Sequence, residues 1–119
     1  MDTSLLLKRT KNFALDNIRF FKSLPKTDEA RIIGKQLLRS STSVASNYRA
    51  ACRSRSRQEF YAKICIVVEE SDETLFWLER LVESGKIKKE NVEDLYKEVD
   101  QFVAIFSASH KTAKMNYRK

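Results

Sequence analysis

Glycine and proline are nearly missing from this sequence, with two Gly and one Pro in 119 residues. A sheet protein turns often and needs such residues at its turns, so their scarcity points to helices. Long apolar runs are missing too. The longest are Ile64–Val68 and Phe102–Phe106, far short of the ~20 residues a membrane-spanning helix needs. The Leu5–Leu7 triplet is likewise too short for the apolar region of a secretory signal. Cys52 and Cys65 show neither CxxC nor His-paired spacing, which predicts reduced, buried thiols in a cytoplasm.

The residue patterns of catalysis are lacking as well. The one histidine, His110, has Ser107 three residues before it, so the Glu-x-x-His motif of di-metal bundles is excluded. There is no glycine-rich phosphate loop, no HExxH, and no supported Ser/His/Asp or Cys/His arrangement. Glu69, Glu70, Asp72 and Glu73 resemble a carboxylate cluster, but on a helix they fan around the axis and become solvated or paired. Cys52 lies near Arg49, Arg53 and Arg55, cations that favour a thiolate, yet a small buried thiol is the simpler reading. The sequence reads as a non-enzyme with no cofactor and no metal.

What is present suffices for a core. Hydrophobic residues make up 42% of the chain, which argues against disorder, and the length fits one domain over residues 1–119. Four helical segments follow from periodicity and caps. The first spans about 4–24, with Leu6, Phe13, Ile18, Phe21 and Leu24 at helical spacing, Thr3 or Ser4 as cap, and Pro25 ending it. The second spans about 27–53, opened by Thr27 with Asp28 and Glu29 in its first turn, and its inward stripe is Ile33, Leu37, Ser41, Val44, Tyr48 and Cys52. The third spans about 57–84, between the capping box Ser56-Arg57-Gln58-Glu59 and a left-handed Gly85. Its stripe of Phe60, Ile64, Val67, Ser71, Thr74, Leu78 and Leu81 alternates steps of four and three, the seam of a shallow-angle bundle. The fourth spans about 89–115, with Val92, Leu95, Val99, Phe102, Phe106 and Ser109 inward. Four amphipathic helices with short connections predict an all-α, antiparallel up-down-up-down four-helix bundle. Ile66 and Trp77 fall off the seam of the third helix and are candidates for an interface between copies of the chain.

Negative charge is missing from two stretches. Ala30–Gln58 holds seven basic residues and no acid, which equals the net charge of +7. After Asp100 there is again no acid, but Lys111, Lys114, Arg118 and Lys119 are present. Antiparallel packing brings these stretches to one end, with Lys8, Arg9 and Lys11 beside Arg49, Arg53, Arg55 and Arg57. Asp2, Asp16 and Glu59 are their main opponents, while at the far end basic and acidic side chains cancel. A basic pole around a helix N-terminus suits phosphate, which guanidinium forks grip in pairs and backbone N–H groups of residues 57–59 can receive. Arg49, Arg53, Arg55, Arg57, Lys111 and Lys114 are thus candidates for binding RNA or DNA backbone, with Tyr48 and Tyr117 as possible stacking surfaces. Docking of an acidic protein partner is the other reading of the same pole.

The stretch Arg39-Ser-Ser-Thr-Ser-Val-Ala-Ser-Asn-Tyr-Arg-Ala-Ala-Cys-Arg53, continued by Ser56-Arg-Gln-Glu-Phe60 and Glu69-Glu-Ser-Asp-Glu-Thr-Leu-Phe-Trp-Leu78, carries a family resemblance. It resembles the four-helix-bundle family encoded in intervening sequences of bacterial 23S rRNA genes, long labelled a ribosomal protein. Arg39, Ser43, Val44, Asn47 and Phe60 sit at positions typical of that family. The commonest branch has Ile-Ala-Glu-Gly after the Asn, where this chain has Tyr48-Arg49-Ala50-Ala51, so any role of the missing Glu is not carried over. The resemblance implies a homo-oligomer, a pentameric ring with a central pore. It also implies similarity to the accessory protein of diversity-generating retroelements, which binds nucleic acid and a reverse transcriptase. Membership of the ribosome is not implied, because the label reflects gene location.

Two functions follow. One is a homo-oligomeric accessory protein that binds nucleic acid through its basic pole. The other is a scaffold that assembles into a ring and docks an acidic protein partner.

Overall fold

Each helix begins where a side chain can take the amides that a first turn leaves unpaired. In the computed structural model, which describes residues 2–118 and the side chains of residues 2–115, α1 spans Thr3–Ser23, α2 Asp28–Cys52, α3 Arg57–Glu83 and α4 Lys89–Arg118. Thr27 accepts from the Ala30 amide at 3.2 Å, and Ser56 from the Glu59 amide at 3.0 Å, so the Thr27 cap and the Ser56 half of the capping box form. The cap of α1 differs from expectation. Asp2, not Thr3 or Ser4, accepts from the Ser4 amide at 3.1 Å, and its carboxylate gains from the positive end of the helix dipole. Leu24, ahead of Pro25, leaves the helical region with ψ 149°. Gly85, at φ 77°, ends the third helix in the left-handed conformation that a side chain would strain. The last helix continues to Arg118, three residues past the expected end.

The helices run up, down, up and down in an antiparallel bundle of 50 × 22 × 21 Å. Chain neighbours pack closely, whereas α1 and α4 form the loosest seam. No strand occurs among the described residues, and no described helix is long and apolar enough to cross a membrane. Phe13, Phe102, Phe106, Leu37, Ile64, Leu78 and Leu81 fill the centre. Phe13 meets Phe102 edge-on at 5.4 Å, a favoured aromatic geometry. Gly34 is where the end of α1 approaches α2, because a Cβ there would overlap the Leu24 side chain and crowd Phe21.

The third helix buries Ile64, Val67, Ser71, Thr74, Leu78 and Leu81, the expected stripe apart from half-buried Phe60. The second helix departs from its expected stripe. Its buried face is Ala30, Gly34, Leu37, Ser41, Val44, Tyr48 and Ala51, with Ser40 beside it. Steps of four drift by about 40° each around a helix, while alternating fours and threes stay on one face. The drift leaves Ile33 half-buried and carries Cys52 out of the core: Cys52 is exposed and Cys65 half-buried, so neither is the buried thiol expected.

Polar side chains in the core satisfy themselves locally. Thr10 donates to the Leu6 carbonyl at 2.8 Å, Ser71 to the Val67 carbonyl at 2.7 Å, and Thr74 reaches Ser40 across the α2–α3 seam at 2.9 Å. Asn17 donates to the Phe13 carbonyl at 2.8 Å, but its Oδ1 has no partner among the described residues.

Candidate nucleic-acid interface

Antiparallel packing decides which chain segments share an end, and side-chain pairs fix the level. Arg9 of α1 is bound by Glu98 and Gln101 of α4. Counting six residues from those pairs sets Thr3 level with residues 104–107, so the last turns of α4 run on past the start of α1. On the other side, Tyr61 stacks on His110 at 5.0 Å, and Tyr48 packs against Phe106 at 5.0 Å. The α2–α3 corner, the start of α1 and the end of α4 therefore meet.

Because α1 stops short, a cleft of about 1100 Å³ opens at this end. Leu6, Phe60 and Ile105 form apolar walls, buried Tyr48 lies at its base, and Arg55 and Arg57 stand on it. Burial, and next the hydrogen bond with Cys52, push the Tyr48 phenol up to about 12. Thr3, Ser54, Ser56, Ser109 and Thr112 also line the cleft, where the Ser54 and Ser109 hydroxyls donate to the Ala50 and Ile105 carbonyls and that of Ser56 accepts from the Glu59 amide. A second groove, about 720 Å³, runs between α1 and α2, where Lys11, Arg49 and Arg53 sit among Leu7, Ala14, Leu15, Ala45 and Ser46. Thr3 and Cys52 line both recesses, and among the described residues no carboxylate lines either.

The corner between Cys52 and Arg57 is short and tied. The Arg53 amide donates to the Ala50 and Ala51 carbonyls, and the Ser54 amide to Ala51 at 3.1 Å. Of the three amides expected to receive phosphate, that of Glu59 is taken by Ser56. Those of Arg57 and Gln58 are left at the open end of the helix.

The six candidate cations are all exposed, but they do not share one face. Arg49 and Arg53 belong to the α1–α2 groove, Arg55 and Arg57 to the end cleft. Lys111 and Lys114 reach the same end, yet Ser109, Thr112 and Ala113 are the residues that α4 turns towards the cleft there. At about 100° per residue, both lysines point roughly 150° away from that face. Among the described residues, none of the six lies within ion-pair distance of a carboxylate. Arg9 does not belong to this free set, because Glu98 and Gln101 hold it. Tyr117, Arg118 and Lys119, also placed at this end by the sequence, have side chains outside the described residues.

Ion pairs concentrate elsewhere. Arg39 of α2 bridges to Glu70 at 3.1 Å and also binds Glu73 of α3, and Arg39 holds the Glu73 carboxyl below the usual range. The Trp77 indole N–H donates to the same Glu73 carboxylate at 3.2 Å. Half of the acidic cluster is thus committed inside the chain, while Glu69 and Asp72 are exposed. At the far end Lys86 meets Glu29 at 3.1 Å and Arg80 meets Glu83 at 2.7 Å. Trp77 and Ile66, the candidate interface residues, are both half-buried. More apolar surface is offered by Ile32, 64% exposed, and Phe76, 42% exposed under Arg80 at 4.6 Å. Among the described residues, no group of three or more His, Cys, Asp or Glu could hold a metal ion.

Sequence reasoning located the corner but not the recesses, one lined by all four helices and the other by α1 and α2. The one available signal was length, since a first helix shorter than the fourth must leave part of it uncovered.

Comparison with known proteins places this geometry in a family. A model of the 23S rRNA-intervening sequence protein family matches residues 3–108. Among solved structures, the chain is similar to a protein of unknown function from the S23 ribosomal protein family of Bacteroides thetaiotaomicron. The two are 28% identical over 93% of this chain and 99% of that one, with a TM-score of 0.85. No curated protein matches the chain.

Proposed function

We propose that this chain, which belongs to the 23S rRNA-intervening sequence protein family, is a non-enzymatic, homo-oligomeric accessory protein that binds the backbone of RNA or DNA through the α2–α3 corner. One observation carries the reading: Arg49, Arg53, Arg55 and Arg57 are exposed with no carboxylate in reach among the described residues. A cation left unpaired in the folded chain is free to replace the counterions of a polyanion, and their release drives such binding. Arginine suits the task because its fork takes two phosphate oxygens at once. The expected binding is indifferent to sequence and steeply weakened by salt.

Assembly into a ring, a pentamer by the family resemblance, would repeat the corner around one rim and multiply a weak single-site affinity. Ile66 and Trp77 remain the proposed interface residues, joined by Ile32 and Phe76. The apolar share of the end cleft favours a second reading, in which the ring docks an acidic protein partner. Co-purification from the native cell, with and without nuclease, separates the two. Nuclease-sensitive RNA or DNA on the protein supports the first reading. A protein partner retained after nuclease treatment, with no nucleic acid bound even at low salt, supports the second. Light scattering that gives a monomer removes the oligomer from both.

A further inference from the structure

The cleft at the basic end has walls that a polyanion's phosphates do not need. We infer that it takes an unpaired nucleobase, so that the nucleic acid bound at this corner is single-stranded; this rests on the reading above and deepens it. Leu6, Phe60 and Ile105 offer an apolar lining to which Tyr48 adds a second aromatic residue, and the polar residues Thr3, Ser54, Ser56, Ser109 and Thr112 line the rest. Arg55 and Arg57 stand on the same cleft, exposed and unpaired among the described residues. A nucleotide has this pattern of needs: a flat, half-apolar base with a polar edge, attached to a phosphate. The volume of about 1100 Å³ is ample for one or two bases, since drug-sized ligands fill pockets of roughly 300–1,000 Å³.

Other occupants fit less well. A duplex keeps its bases stacked inside and would meet only the rim, leaving the apolar walls wet. An extended peptide needs backbone partners, and no strand edge exists among the described residues to supply them. Stacking of bases on aromatic rings beside a basic track is the general mode of single-strand binding.

The test compares three probes on the full chain: an oligothymidylate, the same strand with abasic sites, and a blunt duplex of equal length. Phe60→Leu removes the Phe60 ring, and Ala108→Leu, at an exposed position lining the cleft, fills the space. The expected order is oligothymidylate tighter than either other probe by about tenfold. Both variants should lower oligothymidylate affinity by roughly five- to tenfold and leave the duplex unchanged. Equal binding of all three probes, with loss only in arginine variants, overturns the inference and leaves backbone binding standing. Displacement of the strand by an acidic peptide but not by free thymidylate also overturns it. No binding of any probe at low salt overturns the backbone reading itself.

Discussion

Arginines at the waist of this bundle and arginines at its corner differ in what surrounds them. Arg39 is held by Glu70 and Glu73, and Arg9 by Glu98 and Gln101, each across a helix seam. Arg9 also lies over the Phe102 ring at 5.2 Å, with a side chain only 17% exposed. Arg49, Arg53, Arg55 and Arg57 belong to the same chemical type but have no carboxylate within ion-pair distance among the described residues. The first pair spends its charge holding helices together. The second set forms no ion pair among the described residues. Net charge alone cannot tell the two apart, and local pairing can.

That contrast can be broken at either end. The largest effect is expected at Arg9. Arg9→Ala leaves Glu98 half-buried without its partner and strips a cation from Phe102, so unfolding should become easier by about 2 kcal/mol. Chemical denaturation measures this, while nucleic-acid affinity should stay unchanged. At the corner, Gln58→Glu adds a carboxylate beside Arg55 and Arg57, in the first turn of α3. It should weaken nucleic-acid binding by about 1 kcal/mol, roughly fivefold, yet leave stability equal or slightly raised by the helix dipole. Equilibrium binding and a melting curve on one sample check both halves.

A smaller effect tests the waist by pH. Glu73 has a folded pKa lowered by Arg39 from the ordinary 4.5. Its contribution is therefore fully present above that value and lost as pH falls through the lower folded one. Arg39 is 49% exposed on its side chain, so screening keeps the gain to about 1 kcal/mol or less. Arg39→Ala should bring the stability of mutant and parent together as pH falls through the lowered folded pKa of Glu73. A gap that persists in acid would mean that packing of the arginine stem, not charge, does the stabilising.

Much of the fold was legible because it rests on local chemistry. The caps at Thr27 and Ser56, the break at Pro25 and the left-handed Gly85 each require nothing beyond their own turn. The alternating seam of α3 was equally plain, since its apolar residues keep to one face. On α2 the expected Leu37, Ser41, Val44 and Tyr48 are buried, but Ile33 and Cys52 at the ends of the stripe gave way to small residues, which carry no hydrophobic signal. Gly34 and Ala51 are buried only because neighbours approach there, which is a property of packing. Thr10 and Asn17 were missed for a similar reason: they enter the core by bonding their own helix. The corner's basic stretch was visible as a run without acid. Its division into a groove and a cleft was not, because that depends on where α1 stops against α4.

The central claim is that the corner arginines are free in the folded chain so that phosphates can use them. The most direct measurement is the salt dependence of binding to a single-stranded RNA, for the parent and for the Arg53→Ala/Arg55→Ala/Arg57→Ala variant. Each lost phosphate contact should flatten the plot of log affinity against log salt by about 0.7–0.9. The account predicts that the variant's slope is shallower by about 2–3 with its melting temperature unchanged. Equal slopes for the two proteins would contradict it.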